Sequence, residues 1–266
     1  MTVIVGIDGS APSQAALAWA IHSATNSQSA LRLVHVVDDD WGQMGSEYSR
    51  DEASAGALAL ADAVRFAQER MPAGSVSEAL AHGSPAWELA ASAQPGDLLV
   101  VGTHKTGHIS GRVLGTRSIV VASVANCSVA VIPDTEIRSR LGVVVGVAQG
   151  DRWHDAVSAG ALMADKLGHT LSLIHARAIP DDSERVLLAD AAAHAISLAP
   201  TITVRSRLSR RPPAQALLDA SRAAALLVLG HSRRDPRSAG FVGSVTHEVL
   251  LNLNSPVLIA RSTPTA

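Results

Sequence analysis

Aromatic residues make up only 3% of this 266-residue chain against a hydrophobic share of 47%, so its core must be aliphatic and rich in alanine. Cysteine occurs once, at Cys127, which excludes an intrachain disulfide and fits a reducing compartment. Lysine is almost missing: Lys105 and Lys166 are the two. The formal charge of −2 gives no basic surplus of the kind that marks nucleic-acid proteins, so no nucleic-acid partner is expected. No apolar run approaches the roughly 20 residues of a spanning helix, so no membrane role is expected either. The chain enters an apolar strand at Val3 without the basic segment and long apolar stretch of an export signal, and a cytoplasmic location is the expectation. Three catalytic signatures are also missing. There is no Gly-x-x-x-x-Gly-Lys-Ser/Thr loop, no Gly-x-Gly-x-x-Gly after the first strand, and no Gly-x-Ser-x-Gly elbow.

What stands in their place is one loop pattern written twice. After the apolar run Leu98–Val101 come Gly102, Lys105, Gly107 and Gly111, closing on Gly115-Thr116. After Leu226–Leu229 come Gly230, Arg233 and Gly240, closing on Gly243-Ser244. Gly102 to Gly115 and Gly230 to Gly243 span the same length, and a hydroxyl residue follows the last glycine each time. A strand, a glycine-bearing loop and a hydroxyl opening a helix make an anion site, because the free N–H groups of the helix start carry partial positive charge.

The duplication reaches beyond the loops. Val3–Ile7 matches Val143–Val147, Leu31–His35 matches Leu171–His175, and Asn126–Ile132 matches Asn254–Ala260. Each half holds five short apolar runs separated by helix-length segments, and the runs do not alternate with polar residues. Strands covered on both faces read this way, which predicts a three-layer α/β fold with a parallel sheet, built twice. The polar junction Pro133–Arg140 places the boundary near Ile137, giving domains 1–137 and 138–266. In the first half the expected elements are strands Val3–Ile7, Leu31–Val37, Val76–Ala81 and Leu98–Val101. Helices are expected over Pro12–Ala24, Asp51–Arg70 and Ala86–Ala93, with a polar loop over Asp38–Arg50. Strands of the second half are expected at Val143–Val147, Leu171–His175, Ile202–Leu208, Leu226–Leu229 and Val257–Ile259.

Candidate binding residues follow from this frame. Asp8 ends the first strand, at the carboxyl edge where open parallel sheets bind ligands, and could accept hydrogen bonds from a ribose; it equally suits a turn that caps the next helix. Its counterpart is Ala148, so the second half keeps the phosphate loop without the carboxylate. Lys105 and Arg233 share one loop position from which a cation can meet phosphate oxygens. Thr116 and Ser244 open helices, and Ser118 and Thr246 lie close behind them. His35 and His175 share a repeat position that suggests a structural hydrogen bond. His104 and His108 have the spacing of a helical metal pair, but Gly107 between them and the absence of an acidic partner argue against a metal. No acid–base pair stands beside either loop, so binding is expected without turnover.

At these residues the chain resembles a tandem universal stress protein over nearly its whole length. Members that bind nucleotide carry an Asp ending strand one, then Gly-x-x-Gly, nine residues and Gly-Ser/Thr after strand four. Asp8, Gly102, Gly115 and Thr116 match in the first domain; Gly230, Gly243 and Ser244 match in the second. The family's second glycine is replaced by Lys105 and by Arg233. The resemblance implies a Rossmann-like domain, a five-stranded parallel-type sheet between helices, with adenine meeting the backbone near Val36. It implies ATP or another adenine nucleotide as ligand, with magnesium able to accompany the phosphates. It further implies an internal pseudo-dimer of the two domains through their last strands, and a homodimer as a further option. The Arg-rich, Lys-poor composition suits a bacterium of high genomic GC content. The expected role is a stress-response signalling protein that is not an enzyme. A slow ATPase or nucleotide-transfer enzyme and a scaffold that has lost nucleotide remain the alternatives.

Overall fold

The computed structural model describes residues 1–38, 46–103, 116–134, 140–179, 181–231 and 242–262. The chain folds as two compact units, Met1–Asp134 and Thr135–Ser262. The first runs β1 (Thr2–Gly6), α1 (Ala11–Ser27), β2 (Ala30–Val37), α2 (Ser46–Gln68), β3 (Val76–His82), α3 (Pro85–Ala91), β4 (Leu98–Thr103), α4 (Thr116–Val124) and β5 (Ser128–Pro133). The second runs β6 (Val143–Gly146), a 3-10 turn (Gly150–Trp153), α5 (His154–Leu167), β7 (Leu171–Ala176), α6 (Asp182–Leu198) and β8 (Val204–Ser209). It continues through α7 (Pro213–Ser221), β9 (Leu226–Gly230), α8 (Ser244–Leu251) and β10 (Val257–Ala260).

Each unit is a five-stranded parallel sheet between helices. In the first, the order β3-β2-β1-β4-β5 holds, with Val3 opposite Leu31 on one side and Leu98 on the other. The second repeats it as β8-β7-β6-β9-β10, with Val143 between Leu171 and Leu226. Right-handed crossovers dictate the layers. Moving outward from β1 to β3 puts α1 and α2 on one face; returning through β4 to β5 puts α3 and α4 on the other. The observed pairings of α1 with α2 and of α3 with α4 agree, as do α5 with α6 and α7 with α8. Val3, Ile4, Val5, Leu99, Val100, Val143, Val145, Leu227 and Val228 are almost fully buried, because central strands are covered twice. Edge strands β3 and β8 are half exposed and carry Glu78, Arg205 and Arg207.

One local expectation is corrected, and one local feature differs between the two units. α2 already begins at Ser46, inside the segment Asp38–Arg50 that was expected to be a loop. The second unit opens its first crossover with a 3-10 turn where the first unit has the opening turn of α1. In α1, Ser10 caps the helix by accepting from Ser13 N–H at 3.3 Å. No side chain caps at Gln149, and Trp153 stands where Ser13 stands, buried and stacked on His154 at 3.7 Å between ring centroids. An uncapped start commonly tightens into 3-10 geometry.

Candidate functional site

The sheet order sets the site. β1 lies between β2 and β4, and the crossovers from β1 and β4 leave on opposite faces, so their carboxyl ends open a crevice. Asp8, just past β1, and Gly102, near the end of β4, stand at those carboxyl ends. β6 and β9 repeat the arrangement with Ala148 and Gly230.

In the first unit Asp8 realises the turn reading. Its Oδ1 accepts from Ser10 N–H at 3.0 Å and from Ser10 Oγ at 2.6 Å, which winds the chain into α1. The carboxylate nevertheless stands exposed at the crevice. Gly102 has a packing duty: a Cβ there would meet the Pro12 carbonyl and come within 2.8 Å of Ser13 N, so its bareness lets α1 sit against the end of β4. Ser118 is buried with its Oγ 3.5 Å from Thr103 Oγ1, facing the strand. Val34 accepts from Ile7 N–H, so Val36, two residues on, turns its backbone to the same side, past the last paired residue of β1. The rim also carries an ion pair that the sequence reading missed, Arg117 Nη2 to Asp38 Oδ2 at 3.1 Å. Thr116 opens α4. Lys105, Gly115, His104 and His108 lie outside the described residues, as does Arg233 in the second unit.

In the second unit the crevice is a cleft of about 410 Å³, within the range of small-ligand pockets. Gly230, Gly243, Ser244 and Thr246 all line it, four residues that the loop pattern had singled out. Gly243 caps α8 with φ 87° and ψ 145°, a conformation that is nearly glycine-only. Ser244 is exposed at the first position of α8, whereas Thr246 is buried. On the other side the cleft is closed by Ala148, Gln149, Ala176 and Arg177, and Ala176 is the counterpart of Val36.

Beside this wall lies a charged network that sequence reasoning did not find. Glu184 is only 1% exposed, and three donors meet its carboxylate. Asp181 N–H donates to Oε2 at 2.7 Å, Gln149 Nε2 donates to Oε1 at 3.2 Å, and Arg177 Nη1 donates to the same Oε1. The Asp181 N–H, more than any other contact, holds the Glu184 carboxyl below the usual carboxylate range, against the opposing effect of burial. Arg177 is raised by its hydrogen bond to Glu184, and Asp181 is lowered, first by the Ser183 hydroxyl. One signal was available: Asp181-x-x-Glu184 is a capping-box spacing, and both of its bonds are present at the start of α6. Nothing in the linear order tied that box to Gln149 or Arg177.

His35 and His175 make the structural bond expected of them. Their Nδ1 atoms donate to the carbonyls of Ile7 at 2.7 Å and Val147 at 2.8 Å. Both rings are buried at the strand ends where β1 and β6 turn away.

The sequence pattern described as the Universal stress protein family matches residues 1–133 and 142–261. The chain belongs to that family. The universal stress protein Rv2005c of Mycobacterium tuberculosis is 28% identical over 97% of this chain and 96% of its own length. A crystal structure of a universal stress protein from Archaeoglobus fulgidus superposes with a TM-score of 0.74 at 16% identity, covering 98% of both chains. A putative universal stress protein from Pseudomonas aeruginosa reaches 0.69 at 17% identity, covering 97% and 92%. At those identities the structural likeness is one of fold. This universal stress protein therefore carries two family domains in tandem. Among the described residues no helix is long and apolar enough to cross a membrane.

Proposed function

We propose that this universal stress protein binds adenine nucleotide, ATP foremost, in the cleft of the second unit and at the equivalent crevice of the first, and that it holds the nucleotide as a signal. The observation that carries the reading is Gly243. It sits at the N-terminus of α8, in a backbone conformation reserved for glycine, on the wall of a cleft at the carboxyl ends of parallel strands. A bare helix start in that place offers unpaired N–H groups to phosphate oxygens, and the missing side chain lets the phosphate approach. Apolar side chains of Val147, Ile174, Leu217 and Leu229 also line the cleft and suit a base and ribose. The buried carboxylate of Glu184, bonded to two residues of the cleft wall, is occupied by Gln149, Arg177 and Asp181, so it is poorly placed to act as a general base.

The test is direct. The purified protein is extracted and the released small molecules are identified, then the protein is incubated with ATP and the products are followed. Adenine nucleotide in the extract, with added ATP bound and unconsumed, supports a binding role. Steady release of ADP makes the protein an enzyme. Failure to bind any adenine nucleotide leaves a scaffold.

A further inference from the structure

The second unit has no carboxylate at the end of its first strand, since Ala148 stands where the first unit has Asp8. One residue along, Gln149 is exposed on the cleft wall. Its amide is not at liberty to turn. Glu184, ionised and buried, accepts hydrogen bonds and donates none, so only the NH2 end of Gln149 can face it; that end is 3.2 Å from Glu184 Oε1. The carbonyl end is thereby directed away from Glu184. Glu184 in turn is fixed on the Asp181 N–H of the capping box and on Arg177, which leaves β7 at the cleft rim. Three separate segments, the β6–α5 turn, the end of β7 and the start of α6, converge on the orientation of one neutral acceptor.

We propose that Gln149 Oε1 accepts a ribose hydroxyl of the nucleotide in the second cleft, in place of the carboxylate lost with Ala148, and that Glu184 and Arg177 are positioning residues for it. The inference rests on the nucleotide reading above. It gives the two units different chemistry for the same sugar. The first presents a charged acceptor at Asp8, and the second presents an uncharged amide beside a guanidinium.

The experiment uses the full chain and two probes, ATP and 2′,3′-dideoxy-ATP, titrated calorimetrically into the parent and into Gln149→Leu. A neutral hydrogen bond to a sugar hydroxyl is worth roughly three- to tenfold in affinity. The parent is expected to show that preference for ATP over the dideoxy analogue at the second site. Gln149→Leu removes the preference there by weakening ATP more than dideoxy-ATP, because only ATP carries the sugar hydroxyl whose hydrogen bond is lost. Preference unchanged in Gln149→Leu overturns the proposal while the nucleotide reading stands. Equal loss for both probes also overturns it, since Gln149 would then support the cleft without contacting the sugar. If neither probe binds the parent, the nucleotide reading itself fails and this one with it.

Discussion

Gly102, near the end of β4, lies so close to Pro12 in the first turn of α1 that a Cβ would run into the Pro12 carbonyl and stand 2.8 Å from Ser13 N. The glycine that opens the loop pattern is therefore also a packing residue, at the point where the first crossover helix meets the neighbouring strand. Gly102→Ala is expected to push the start of α1 away from β4 and to cost about 1–3 kcal/mol, the usual range for overpacking. Denaturant unfolding without nucleotide measures it. A cost near zero would mean that the helix start yields easily.

Gly243 acts through its own backbone. At φ 87° and ψ 145° an alanine is expected to cost on the order of 1–3 kcal/mol. Gly243→Ala should also weaken nucleotide at the second site, because the strained residue reorients the N–H groups at the start of α8. Calorimetry beside a thermal melt separates the two effects. ATP binding at full strength with an unchanged melt would show that the cleft's phosphate end lies elsewhere.

Gly56 reverses an ordinary rule. Glycine inside a helix normally costs about 0.5–1 kcal/mol relative to alanine, so Gly→Ala in mid-helix usually stabilises. Here a Cβ on Gly56 would fall on the imidazole of buried His35. Gly56→Ala is expected to lower the melting temperature, and the double variant with His35→Ala to recover part of the loss. A higher melting temperature for Gly56→Ala would contradict this packing.

Acid sensitivity follows from Glu184. Its folded pKa lies below that of the unfolded chain, where a glutamate titrates near 4.3. The stability it contributes is therefore complete above that value and is lost as pH falls through the depressed folded pKa. Glu184→Gln is expected to destabilise the second unit at pH 7 by more than a surface substitution does, and to flatten the loss of stability below about pH 4. Unfolding curves between pH 2 and pH 7 give the comparison. An acid limb unchanged in Glu184→Gln would remove the carboxylate from the argument.

His194 gives a second, milder slope with its own window. Burial first, and the neighbouring His154 second, lower its pKa from 6.5. Its Nε2 shares a hydrogen bond with Ser158 Oγ at 2.8 Å, and its ring meets Trp153 edge to face. Below about pH 6.5 the unfolded chain binds the proton more readily than the folded one, so stability falls as pH drops from 7 toward the lowered folded value and levels off beneath it. His194→Gln is expected to reduce that slope between pH 7 and pH 5. An identical slope in the variant would place the sensitivity on another group.

Periodicity and repetition carried the fold in the linear sequence. Unalternating Val, Leu and Ile runs at matching places announced doubly covered strands, and the second of the repeated glycine loops marked a strand end that lines the cleft. Gly230, Gly243, Ser244 and Thr246 were legible as cleft residues because each lies at a strand end or a helix start that the repeated loop pattern marks locally. Element edges were less legible, as at Ser46, because a helix start depends on which caps win in three dimensions.

Of the Gln149–Glu184–Arg177 network, only the capping-box spacing of Asp181 and Glu184 was legible. Its members come from three segments that meet only when β6 and β7 pair, and a glutamate in a capping box looks the same whether its carboxylate is wet or buried. The duty of Gly102 toward Pro12 is of the same kind. Local chemistry is written in order along the chain, whereas burial and long-range approach arise only from packing.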